Sequence, residues 1–195
     1  MVYWIGYAFW KILGFLFYPI TVHGSQNLPQ RGSCILASNH ASNMDPMLIG
    51  LCFWRPISYF AKDELFKNRF FAWILYHVGA FPVKRGSADI GAINEALRRL
   101  EAGIPLVIFP GGTRQSTHSK REVHSGIAFL AVKSGVPVVP VYIKDSDKLL
   151  PKGAKFLKRH SIGVTFGKSK VYSDNESYPT IANRIMDEIS FLAPK

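Results

Sequence analysis

Cys34-Ile35-Leu36-Ala37-Ser38-Asn39-His40-Ala41-Ser42-Asn43-Met44-Asp45-Pro46 decides how this chain is read. It opens on a continuous apolar run, the pattern of a strand buried on both faces. Asp45-Pro46 reads as a helix start, because Asp is a favoured N-cap and Pro fits the first helical turn. His40 therefore falls in the loop between a strand and a helix. Five steps along a regular helix would set His40 and Asp45 about 140° apart, so only a bent connection lets the carboxylate reach an imidazole nitrogen. In that arrangement the carboxylate fixes the tautomer and stabilises the imidazolium, while the other ring nitrogen takes a proton from an incoming hydroxyl. The nucleophile then belongs to the substrate. Taken alone, the same residues also read as a loop histidine and a simple helix cap.

Working outward, the pattern repeats. An apolar helix is expected from Pro46 to about Trp54, ended by Pro56, and residues 57–61 read as a strand. Asp63 can cap a helix carrying Leu65, Phe66, Phe70, Phe71, Trp73, Ile74 and Leu75, with Lys62, Lys67 and Arg69 beside it. That segment is either a membrane-facing or acyl-binding surface, or a core helix with a solvated basic face. Residues 79–86 give a short strand ending in Lys84 and Arg85, and Ser87 starts an amphipathic helix through Ile90, Ile93, Leu97 and Leu100. The buried-type strand 105–109 leads into Pro110-Gly111-Gly112-Thr113-Arg114, where free backbone amides and a guanidinium suit a phosphate. A helix over 123–134, a strand over 136–143, a strand over 160–166 and a last helix over 178–192 complete the series. Pro137 and Pro140 argue against regular pairing along the whole of 136–143. A short strand is also expected at 21–24. Strands alternating with helices predict an α/β fold, a mixed and largely parallel sheet covered by helices on both faces. In such sheets the loops at the carboxyl ends of strands share one crevice, so His40, Arg85 and Arg114 can converge.

The chain has 195 residues, enough for one core with an appendage, and Lys and Arg outnumber Asp and Glu 24 to 13. A formal charge of +11 favours anionic partners, whether phosphorylated substrates, acidic carriers, anionic lipid or nucleic acid. The basic run from Lys144 to Arg159 is either a solvated surface or a contact for such a partner. Cys34 and Cys52 both fall in apolar runs, which predicts reduced, buried thiols in a cytosolic setting and no disulfide framework. Before Pro19 the chain is apolar nearly all round and rich in Trp and Tyr, with Lys11 its one charge. A helix lying in or dipping into the cytoplasmic leaflet fits best, ahead of a single span or a buried core helix. The domain division is accordingly 1–22, a membrane-associating segment, and 23–195, a catalytic domain at the cytoplasmic face of the cell membrane.

Four ordered blocks resemble the glycerolipid acyltransferases, and most closely the bacterial 1-acylglycerol-3-phosphate acyltransferases. Asn39-His40 to Asp45 matches the family's NH-four-residues-D signature, and residues 79–85 match its second block. Phe109-Pro110-Gly111-Gly112-Thr113-Arg114 matches the third and residues 136–140 the fourth. The resemblance implies that His40, held by Asp45, deprotonates the hydroxyl of lysophosphatidate for attack on acyl-CoA or acyl-carrier protein. It implies that Gly112, Thr113 and Arg114, with Arg85 and Lys84 beside them, hold the acceptor phosphate. It implies no metal, no further cofactor and no covalent acyl-enzyme. One position departs from the pattern: Gly111 stands where the family usually carries glutamate, which bears on the acceptor. The rival from another class, a non-catalytic binder of nucleic acid or anionic membrane, accounts for the charge but not for the His-Asp spacing.

Overall fold

The computed structural model describes residues 19–84, 89–112, 123–151 and 156–194. The apolar N-terminal segment, Arg85, Ser87, Thr113, Arg114, Lys152 and Lys155 lie outside them. The strands are β1 Ile20–His23, β2 Ile35–Ser38, β3 Ser58–Lys62, β4 Ala80–Val83, β5 Leu106–Ile108, β6 Val138–Lys144 and β7 Ile162–Phe166. The helices are α1 Asp45–Cys52, α2 Arg69–His77, α3 Ile90–Glu101, α4 Gly126–Ser134, α5 Ser146–Leu149 and α6 Tyr178–Phe191. Short 3₁₀ turns stand at Ser25–Asn27 and Asp63–Phe66.

All seven strands form one sheet in the order β1-β7-β6-β2-β5-β3-β4. Every pairing is parallel except β6 with β7. Because successive side chains on a strand point to opposite faces, each apolar strand feeds two cores. Ile35, Ala37, Leu106, Ile108 and Val138 pack under α3, α4 and α6. Cys34, Leu36, Val107, Val139, Val141 and Ile143 pack under α1, with Phe53 and Ile57. The expected mixed, largely parallel sheet with helices on both faces is what the chain forms.

Several boundaries differ from expectation for local reasons. Asp45 is the first residue of α1 and Met44 its N-cap. The helix expected from Asp63 is broken into a 3₁₀ turn and α2. Asn68 Oδ1 accepts the N–H groups of Phe70 and Phe71, which restarts the helix there. At α3 the cap is Asp89, accepting from Ala92 N–H. Helix α4 starts at Gly126 instead of Val123, because His124 N–H is held by the Pro110 carbonyl at 3.0 Å. The basic loop after β6 contains α5, whose Leu149 is buried, so it is not wholly a solvated surface. In β6 the ladder to β7 starts at Val141, just past Pro140, which has no N–H to give. Strand β1 begins at Ile20, so the division expected between Val22 and His23 falls inside a strand of the sheet. Cys34 is buried, and that burial pushes its thiol up to about 12. Cys52 is only half-buried, contrary to expectation, and neither cysteine forms a disulfide.

Because β6, β2, β5, β3 and β4 run parallel, their carboxyl ends share one edge of the sheet. Strands β1 and β7 run the other way, so Ile20 and Ile162 begin at that same edge, near Lys144.

Candidate active site

Strands β2 and β5 are neighbours, with Ala37 opposite Ile108, so the loops that follow them meet. Asn39 controls where the first loop goes. Its Nδ2 donates to the Ile143 carbonyl at 2.9 Å and its Oδ1 accepts Ile143 N–H at 2.7 Å. The side chain thus supplies a ladder pair to β6 after the backbone of β2 has turned away. His40 is thereby delivered to the crevice above the sheet.

The turn from Ala41 to Met44 brings Asp45 back under the imidazole. Asp45 is fully buried, and its Oδ2 accepts three hydrogen bonds. They come from Ala41 N–H at 2.7 Å, from Ser42 N–H at 2.8 Å and from His40 Nδ1 at 2.8 Å. A carboxylate held at a helix start by backbone amides is fixed in place. Its reach to Nδ1 assigns the ring proton to that nitrogen and leaves Nε2 as the basic one. The bent connection that the spacing demands is present, but Asp45 achieves it from inside the helix and not as its N-cap.

Phe109, directly after β5, stacks on the imidazole with ring centroids 4.2 Å apart and an angle of 24° between planes. The ring of His40 is therefore fixed at one edge by a carboxylate and on one face by an apolar plane. Its side chain is only 13 % exposed. Gly112 closes the same loop, donating its N–H to the Phe109 carbonyl at 2.9 Å, with a φ of +64° that glycine adopts without strain. A Cβ at Gly112 would lie 2.6 Å from His124 Nε2, so the His124 ring lies against the glycine backbone. Gly112→Ala is accordingly expected to displace the His124 ring and the loop together. We expect a destabilisation of about 1–2 kcal/mol, read by thermal melts.

The residues anticipated from sequence thus divide in three. His40 and Asp45 are joined directly, and Gly112 closes the loop that lays Phe109 on the His40 ring. Lys84 follows β4, at the margin of the sheet and three strand places from β2, about 14 Å away at the usual strand spacing of ~4.8 Å. Its backbone N–H is held by Asp89 at 2.8 Å and its side chain is exposed. Arg85, Thr113 and Arg114 lie outside the described residues. Asn39, Phe109 and His124 carry positioning roles that sequence reasoning missed. For Asn39 a signal existed, an amide-bearing residue immediately after a strand; for His124 there was none. Among the described residues no cluster of His, Cys, Asp and Glu could hold a metal ion, and no helix is long and apolar enough to cross a membrane.

This geometry sits in a chain with clear relatives. An acyltransferase family model matches residues 19–144. The 1-acyl-sn-glycerol-3-phosphate acyltransferase of Streptococcus pneumoniae is 30 % identical over 191 residues, covering 94 % of this chain and 68 % of that protein. A chloroplastic 1-acyl-sn-glycerol-3-phosphate acyltransferase from Brassica napus is 26 % identical over 175 residues, and this chain spans 49 % of its length. Among solved structures, the 1-acyl-sn-glycerophosphate acyltransferase PlsC of Thermotoga maritima aligns over 95 % of this chain and 77 % of its own. The TM-score is 0.72 and the identity 25 %. The matched span runs from the start of β1 to the end of β6 and so contains the whole His40 crevice, and on that match the chain belongs to the acyltransferase family.

Proposed function

We propose that this protein transfers a fatty acyl group from an acyl thioester to the sn-2 hydroxyl of 1-acylglycerol-3-phosphate, giving phosphatidic acid. The observation that carries the proposal is the 2.8 Å contact between His40 Nδ1 and a fully buried Asp45 carboxylate, which turns Nε2 into a positioned base. The relatives, 1-acyl-sn-glycerol-3-phosphate acyltransferases, suggest the substrate class. In the step proposed, Nε2 takes the hydroxyl proton as that oxygen attacks the thioester carbonyl. The carbon–sulfur bond then breaks, and the imidazolium, stabilised by Asp45, returns the proton to the departing thiolate. Acyl-CoA or acyl-carrier protein is the donor, and the chemistry calls for no metal or further cofactor.

Gly112, Thr113 and Arg114 hold the acceptor phosphate in this reading, with Arg85 beside them, while Lys84, at the far margin of the sheet, is left out of that group. The protein works at an anionic membrane surface, peripheral or monotopic, on the cytoplasmic face, with the segment before β1 associating with lipid. Nucleic acid has no part in it. Arg114→Ala is expected to raise the apparent acceptor constant tenfold or more, a charge-assisted contact being worth about 1.5–3 kcal/mol. Thioester hydrolysis without acceptor should change least, and an unchanged acceptor constant would place the phosphate elsewhere.

The deciding experiment follows thiol release from acyl-CoA and from acyl-carrier protein with and without lysophosphatidate. Acceptor-dependent release supports the proposal, whereas salt-sensitive binding without turnover supports a basic binding protein. Because Gly111 replaces the acid that resemblance leads one to expect, a lysolipid lacking the phosphate is run alongside. Preference for it would retain the acyl transfer and change the acceptor.

A further inference from the structure

We infer that α2 and the turn before it form a docking surface for an anionic lipid bilayer, separate from the N-terminal segment. Helix α2 has a core-like sequence, Arg69-Phe70-Phe71-Ala72-Trp73-Ile74-Leu75-Tyr76-His77, yet none of its residues is buried. Phe70 is 68 % exposed, Phe71 58 %, Trp73 50 % and Tyr76 54 %, and Leu65 in the preceding turn is 51 % exposed. At 100° per residue, Arg69, Phe70, Trp73, Tyr76 and His77 share an arc of about 120°. The half-buried Ala72, Ile74 and Leu75 turn elsewhere. This removes the core-helix alternative and leaves an aromatic stripe that no core among the described residues covers.

The stripe is built rather than loose. Phe66 packs on Tyr76 with centroids 5.0 Å apart, and Trp73 lies 4.3 Å from His77. The Asn68 cap fixes the helix at its start. From residue 67 to 77 the charges are Lys67 and Arg69, with no acid among them; Asp63 and Glu64 stand in the turn ahead. Trp and Tyr beside cations is the composition that settles at the headgroup level of a bilayer.

Charge complementarity selects lipid over the other occupants. A second copy meeting the same face about a two-fold axis would set Lys67 and Arg69 against their own counterparts. The described chain enters the sheet at β1, whereas α2 packs beside β4 at the opposite margin. Anionic headgroups attract both cations and accept the aromatic rings. The placement also serves the site: β3 ends at Lys62 on the edge where β2 and β5 end, so the start of α2 sits at the His40 edge of the sheet.

This deepens the membrane part of the proposed function and rests on that reading. The test uses the full chain and vesicles of phosphatidylcholine with phosphatidylglycerol. Phe70→Ser with Trp73→Ser should weaken partitioning ~10-fold or more, at an unchanged melting midpoint and unchanged turnover of a soluble short-chain acceptor. Lys67→Glu with Arg69→Glu should weaken binding to these vesicles and not to neutral ones. Trp73→Phe should bind as the parent does but lose part of the fluorescence quenching given by brominated lipid. Parental partitioning in the double serine variant, or parental quenching in Trp73→Phe, overturns the inference. So does a dimer that the serine variant dissociates while vesicle binding stays parental, which would assign the face to a second copy. Absence of acceptor-dependent turnover in every protein would instead strike the acyl transfer and leave the vesicle result standing.

Discussion

Replacing His40 by alanine should lower turnover by about 10²–10⁴-fold, the contribution of a positioned general base, while the protein stays folded. Among the described residues the imidazole makes one side-chain hydrogen bond and one ring contact, to Asp45 and Phe109, and holds no strand in place. The loop is shaped instead by Asn39 on β6 and by the Ala41 and Ser42 amides on Asp45. Circular dichroism and melting should therefore match the parent while thiol release collapses. A folded His40→Ala protein with parental turnover would remove the mechanism.

At Asp45 two substitutions separate geometry from charge. Asparagine keeps an oxygen where Oδ2 sits, so the Ala41 and Ser42 amides and His40 Nδ1 stay satisfied, but the imidazolium loses its counter-charge. Turnover should fall about 10²–10⁴-fold with a modest change in stability. Alanine instead leaves two amides and a ring nitrogen unpaired beside a fully buried cavity, each orphan costing about 1–3 kcal/mol. The Ala variant should therefore melt markedly earlier as well as being inactive. Equal melting of the two, or parental turnover in Asp45→Asn, would contradict this account of the carboxylate.

What the sequence made legible was whatever local composition controls. Buried parallel strands announce themselves as unbroken apolar runs, so β2, β5 and β6 stood out, and with them the loop that carries His40. The His40–Asp45 contact was legible because spacing and a helix start leave few ways to close the gap. The strand order was not, since Ile35 pairs with both Leu106 and Val138 and nothing local encodes those partners. The Phe109 stack depends on that order, because it requires β5 beside β2. The break at Asn68 was missed because the apolar pattern runs straight through the capping side chain. The exposure of α2 was out of reach for the opposite reason: aromatic residues look the same in a core and at a lipid interface until the neighbours are known.

The Asn39 clamp on Ile143 spans 104 positions of sequence, and this sets an order of events during synthesis. When the His-Asp stretch leaves the ribosome, the backbone groups it must grip do not yet exist; they emerge only with β6, after the helices that precede it. A contact of such separation forms late, because the long loop must close before the contact repays it. Until then β2 has an unpaired margin, and the loop that carries His40 lacks its long-range anchor. A nascent chain stopped just before β6 carries the catalytic motif and its local Asp45 contact but not the Asn39 anchor, so full competence should arrive as that strand docks, not in proportion to the length made.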